Sequence, residues 1–205
     1  MNIIATIAVC AAAASITSAQ QVYTGLDFEF SKASGADHTL PENQDRMTGN
    51  VWITRAKTQG IFNIAQETSF TGFGANSPSP IGTRWAFGSA ADHQFLNFTT
   101  WGFTHGGNPP GLIGQDLVVH LVDDDIYLDI RFTAWGQGFG GAFTYLRSVI
   151  PGPCNAADIA EPFGVLDLAD ITAFVSAFVA GDDAADLAEP FGVHDLADIT
   201  AFVTA

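Results

Sequence analysis

The sequence predicts a mainly β protein: an antiparallel β-sandwich of jelly-roll type over 20–150, followed by a small α-helical module over 151–205. Three observations carry that expectation. Between residues 20 and 150 the apolar side chains recur with period two, the spacing of a strand with one wet face. Glycine and proline interrupt the same region repeatedly, at Gly72, Gly74, Pro78, Pro80, Gly106, Gly107, Pro109 and Pro110, so the strands must be short. Beyond residue 150 the period becomes helical, and ADIAEPFGVLDLADITAFVS at 157–176 returns as ADLAEPFGVHDLADITAFVT at 185–204.

The chain opens with an apolar run from Ile3 to Ala14, closed by small residues up to Ala19. That pattern reads as a secretory signal peptide over 1–19, cleaved before Gln20. It is too short to span a bilayer, and no later run is long enough, so the mature chain is expected to lack a transmembrane segment. With the leader gone, Cys154 is the one remaining cysteine, without a mate in its own chain. A formal charge of −15, from 22 acidic against 7 basic residues, repels phosphate backbones and anionic headgroups, which excludes nucleic acid as a partner. A hydrophobic content of 47% is nevertheless enough for packed cores rather than a disordered acidic tail.

Within the β region Leu26, Phe28 and Phe30 alternate with Asp27, Glu29 and Ser31. The clearest strand is 126–132, where Ile126, Leu128, Ile130 and Phe132 alternate with Tyr127, Asp129 and Arg131. A preceding strand at 117–122 joins it through Asp123, Asp124 and Asp125, which reads as a hairpin turn. A further strand at 142–149 follows the glycine-rich 136–141 turn, and weaker ones are expected at 51–54, 61–65, 83–87 and 95–100, with no helix among them.

Chemistry is sparse in this region. His38, His93, His105 and His120 lack the close spacing of a zinc motif. No Gly-x-Ser-x-Gly elbow is present. Asp27, Glu29, Glu67 and Asp129 are the carboxylates from which a glycosidase pair would be drawn, although such residues on one strand face equally form a solvated ion-pair surface. Trp101 and Trp135 border loops and are expected to be the most exposed tryptophans, hence candidate sugar-facing aromatics. The segment from Gln115 to Ser148 resembles β domains of secreted bacterial proteins that have no established activity, which bears on fold alone.

In the repeat, Ile171, Phe174, Val175, Phe178 and Val179 fall at i, i+3, i+4, i+7 and i+8, one apolar stripe of a helix. Asp167 stands at its N-cap with Asp170 three residues on, an arrangement that caps free backbone N–H groups. Two such units, the turn Pro-Phe-Gly-Val in each and Gly152-Pro153-Cys154 before them, resemble a dockerin module of the variant that opens on a Gly-Cys element. The resemblance implies calcium in each loop, held by Asp158, Glu161, Asp167 and Asp170 in the first repeat and by Asp186, Glu189, Asp195 and Asp198 in the second. It also implies docking onto a cohesin-like protein or cell-surface component through helix faces bearing Ile171, Phe174, Phe178, Ile199 and Phe202, and a closing Gly-Cys beyond Ala205 that would pair with Cys154. The loops depart from the calcium pattern: counted from Asp158, positions 3 and 5 are Ala160 and Pro162, and Asp170 falls at 13 rather than 12. Helix capping explains the same aspartates without an ion.

The expected function is therefore that of a secreted, extracellular or cell-surface, non-catalytic protein assembled through its repeat module, with a β-sandwich of unassigned binding role. Two alternatives stand beside it: a carbohydrate-active or polysaccharide-binding sandwich that the module delivers, and a module that merely caps the sandwich from within the same chain.

Overall fold

The computed structural model describes residues 20–72, 77–152, 154–160, 163–164 and 166–205; the expected leader lies outside them. Nine strands form two mostly antiparallel sheets among these residues. The larger contains β2 (Phe28–Lys32), β9 (Phe143–Arg147), β8 (Ile126–Trp135), β7 (Leu117–Leu121) and β6 (Thr83–Phe87) in that order. β1 (Gln21–Tyr23) pairs in parallel with the first residues of β8. The smaller sheet is β3 (Asp45–Arg46), β4 (Trp52–Arg55) and β5 (Ile61–Asn63).

β8 organises the large sheet because it is long enough to be shared. Its first half pairs with β7 on one side and β1 on the other, and its second half pairs with β9, with a register shift between Phe132 and Ala134. The expected alternation holds: Ile126, Leu128, Ile130 and Phe132 are buried, whereas Tyr127, Asp129 and Arg131 lie half-exposed. Leu117, Val119 and Leu121 of β7 join the same buried cluster, as do Ile53 and Ile61 from the small sheet, so both sheets share one core. At roughly 25 cal/mol per Å² of apolar area, such shared burial is the main force joining them.

The sheets are also clipped by a polar contact inside that core. Asp45 on β3 accepts from Arg147 Nε and Nη2, both at 2.8 Å, and from Tyr145 Oη at 2.6 Å, the last three groups reaching across from β9. All three residues are buried. The fork-like guanidinium suits a bidentate carboxylate, and the tyrosine satisfies a further lone pair, which an interior ion pair requires.

Three expectations need correction. The segment 95–100 is not a strand: residues Ala90–Phe95 form a 3-10 helix, and only Thr99 bridges to Trp85. Asp129 forces this, since its Oδ1 accepts from Ala90 N at 2.6 Å and from Ser89 Oγ at 3.2 Å, pinning the turn onto the sheet. The β region also contains a short helix, α1 (Trp101–His105), capped by the Thr100 hydroxyl on Phe103 N and ended by Gly106 in the left-handed conformation. Finally, the strand expected over 61–65 stops at Asn63, because the Asn63 side chain accepts from the N–H groups of Trp52 and Ala65 and ends the ladder.

The repeat module contributes α2 (Leu168–Ala180) and α3 (Leu196–Thr204), as the helical period predicts. No helix among the described residues is long and apolar enough to cross a membrane.

Candidate functional site

Each helix of the module begins with a reciprocal capping box. The Asp167 carboxylate accepts from Ala169 N at 2.6 Å, while Asp170 Oδ2 accepts from Asp167 N at 2.9 Å. Asp195 and Asp198 repeat the arrangement at 2.6 and 2.8 Å. The turn before each helix places Gly164 and Gly192 at φ near +88° and +87°, where a side chain would be strained; this explains the glycine in both Pro-Phe-Gly-Val turns.

Phe174 stacks on Phe202 with centroids 4.2 Å apart and planes 17° from parallel, and Phe178 packs on Phe174 and on His194. Phe174 is buried and Phe178 and Phe202 are half-buried, so these three join the helices to each other instead of facing a partner. The outward apolar residues are others. Leu168 is 73% exposed, Val179 82%, Leu196 73% and Val203 75%, with Ile171, Val175 and Ile199 exposed between them. Of the partner-facing residues expected from sequence, Ile171 and Ile199 are therefore placed outward. The remaining outward positions were hidden in the sequence, since an apolar stripe does not reveal which edge its twin covers.

Among the described residues, no group of three or more His, Cys, Asp or Glu suited to a metal occurs. The loop aspartates direct oxygens at backbone N–H groups. Asp170 Oδ1 accepts from Ile159 N and Ala160 N, and Asp198 Oδ1 from Leu187 N and Ala188 N. Asp158 Oδ2 takes Cys154 N and Gly164 N, and Asp186 Oδ2 takes Gly192 N. The N–H of Asp195, with those of Ala188 and Leu187, holds the Asp198 carboxyl below the usual carboxylate range. Burial would raise the Asp158 carboxyl, but the N–H groups of Cys154 and Gly164 outweigh it and bring it lower too. One buried oxygen per loop keeps no hydrogen-bond partner, Oδ1 of Asp158 and of Asp186. Glu189 is exposed, and Glu161 lies outside the described residues.

In the β region the two candidate tryptophans meet, although they stand 34 positions apart in sequence. Trp101 and Trp135 have centroids 5.5 Å apart and line a groove of about 370 Å³ with Arg55, Phe70 and His105. Trp101 is only 1% exposed, which corrects the expectation of an open face. Trp135 is half-buried beneath the Arg55 guanidinium, 4.0 Å from its centroid. The indole Nε1 of Trp101 and the Nε2 of His105 are both buried without a hydrogen-bond partner. Gly107 N donates to His105 Nδ1, so the neutral ring carries its proton on Nε2, and burial pushes the imidazole down to about 4. Both N–H groups are sealed from solvent, so the groove as it stands does not present them.

The candidate glycosidase carboxylates stand in different settings, although Asp27 and Asp129 both lie against Gly25. Asp27 and Glu29 are exposed. Glu67 is buried as the hub of a loop, accepting from Asn63 N at 2.8 Å, Ile81 N at 2.9 Å and the Ser79 hydroxyl. Asp129 lines a hollow of about 590 Å³ beside Asp116 and Arg131, but three donors hold it: Gly25 N, Ser89 Oγ and Ala90 N. The histidines are likewise structural in part: His120 stacks on Tyr127 at 4.0 Å and 5°, with His93 4.6 Å from the same ring.

Compared with known proteins, the chain matches no protein-family model, no curated protein and no solved structure.

Proposed function

We propose that this chain is a secreted, non-catalytic protein that its dockerin-like tandem module attaches to a cohesin-like protein partner, with a jelly-roll-like sandwich as the attached domain. The observation that carries the reading is the pair of matching apolar faces: Leu168, Ile171, Val175 and Val179 on α2, and Leu196, Ile199 and Val203 on α3, all exposed. A helix of a small domain ordinarily turns such residues inward, and here the Phe174–Phe202 stack has already closed the inside. Exposure of both faces disfavours the module as an internal cap, which would have covered them. With acidic residues in excess around it, the fitting partner surface is apolar at its centre and basic at its rim.

The test is biolayer interferometry of the mature chain against a panel of immobilised cohesin domains. Binding should be found, and Ile171→Asp with Ile199→Asp should weaken it at least about tenfold while leaving the melting temperature unchanged. Absence of binding across the panel, or binding indifferent to both substitutions, defeats the reading.

A second reading, polysaccharide binding by the β domain, is favoured by the convergence of Trp101, Trp135 and His105 on one groove. Arg55 already covers the Trp135 face, so a sugar would meet this groove by its edge rather than by a stacked ring face. Quenching of tryptophan fluorescence by soluble polysaccharides checks it, with His105→Phe as the variant expected to lose the effect.

A further inference from the structure

We propose that the two loop-helix repeats hold their fold without a divalent ion, because Asp170 and Asp198 tie each loop to its helix in the manner an ion otherwise would. In an EF-hand-type loop the cation gathers six to eight oxygens and so joins the front of the loop to the acid that closes it. Here the closing acid reaches the front directly. Asp170 Oδ1 accepts from Ile159 N and Ala160 N, both at 2.9 Å, while its Oδ2 accepts from Asp167 N at 2.9 Å. Asp198 makes the same three bonds to Leu187, Ala188 and Asp195 at 2.8, 2.9 and 2.8 Å. Both carboxylates are buried. Three charge-assisted bonds to one buried carboxylate form a strong local tie, and its recurrence 28 residues later shows that the arrangement follows from the repeated sequence.

The first acid of each loop makes a second tie, from Asp158 Oδ2 to Gly164 N at 2.6 Å and from Asp186 Oδ2 to Gly192 N at 2.5 Å. Positions that would offer further oxygens hold Ala160 and Pro162, and Ala188 and Pro190, whose side chains cannot ligate. Among the described residues the buried oxygen left unfilled is one per loop, on Asp158 and Asp186, beside the exposed Glu189 of the second, short of the six to eight of a calcium shell. The inference concerns how the module folds and stands apart from whether it docks.

Amide hydrogen exchange read by mass spectrometry on the mature chain tests it, in about 5 mM EDTA and in about 5 mM calcium chloride. Peptides covering 168–180 and 196–204 should exchange at rates within about twofold of each other in the two buffers. Asp170→Ala with Asp198→Ala should speed their exchange at least about tenfold in both, while peptides of the β domain keep theirs and report that the chain is folded. A tenfold acceleration of the unsubstituted chain in EDTA that calcium reverses would overturn the proposal, as would wild-type protection in the double variant.

Discussion

Single side chains in this protein are mostly set by what they must hydrogen-bond. His105 shows how a buried donor becomes a pH sensor of stability. Its ordinary value is near 6.5 and the folded protein holds it at about 4, because burial penalises the imidazolium. The native state therefore binds fewer protons than the unfolded chain in that interval. Its contribution is fully present above pH 6.5 and is lost as pH falls from there towards 4. His105→Gln removes the titration, so the stability gap between wild type and variant should shift against wild type between pH 7.5 and pH 4.5, read from urea midpoints. A gap independent of pH would show that His105 is not held neutral. Lys32 poses a related problem: it lies buried on β2 with an Nζ that has no partner, and burial, aided by repulsion from Arg55, lowers its pKa. Period two alone places Lys32 on the same inward face as Phe30, yet the residue type argued for solvent, so its burial was not legible.

At the level of elements, the two sheets are joined by their shared apolar core and by the Asp45 clip. Asp45→Asn leaves Arg147 buried with half of its partner and should cost on the order of 3–5 kcal/mol in chemical denaturation, with both sheets lost in one transition. A loss below about 1 kcal/mol would mean that the guanidinium finds other acceptors or water. The clip could not be read from sequence, since Asp45 and Arg147 are separated by 102 positions and neither sits in a motif. Features with a local cause were readable. The β7–β8 hairpin follows from alternation around Asp123–Asp125, and the capping boxes follow from aspartates three residues apart at the start of an apolar stripe. The 3-10 helix at Ala90–Phe95 was not, because its conformation is imposed by Asp129 from a distant strand. The same distinction divides the candidate site: the helices were legible, but which of their apolar residues meet each other was decided by the Phe174–Phe202 stack.

Seen whole, the molecule carries most of its net charge of −15 at its surface. Three of its seven cations, Lys32, Arg55 and Arg147, are buried, as are five acids, Asp45, Glu67, Asp158, Asp170 and Asp198, so acids far outnumber cations among the charges left outside. Self-repulsion on such a surface opposes the compact state and is screened by salt. Raising sodium chloride from about 10 mM to about 300 mM should therefore raise the melting temperature by a few degrees. A decrease would indicate that surface ion pairs such as Arg131–Asp116 outweigh the repulsion. The order of strands has one more consequence if the module is a tether. Any drag on the attached domain enters it at the end of β9, just beyond Arg147. That strand is laced through five register pairs to β2 and five to β8, and its last residue is gripped by Asp45 on the other sheet. A pull along β9 loads these bonds together in shear rather than peeling them one at a time, so the strand nearest the anchor is also one that many bonds hold at once.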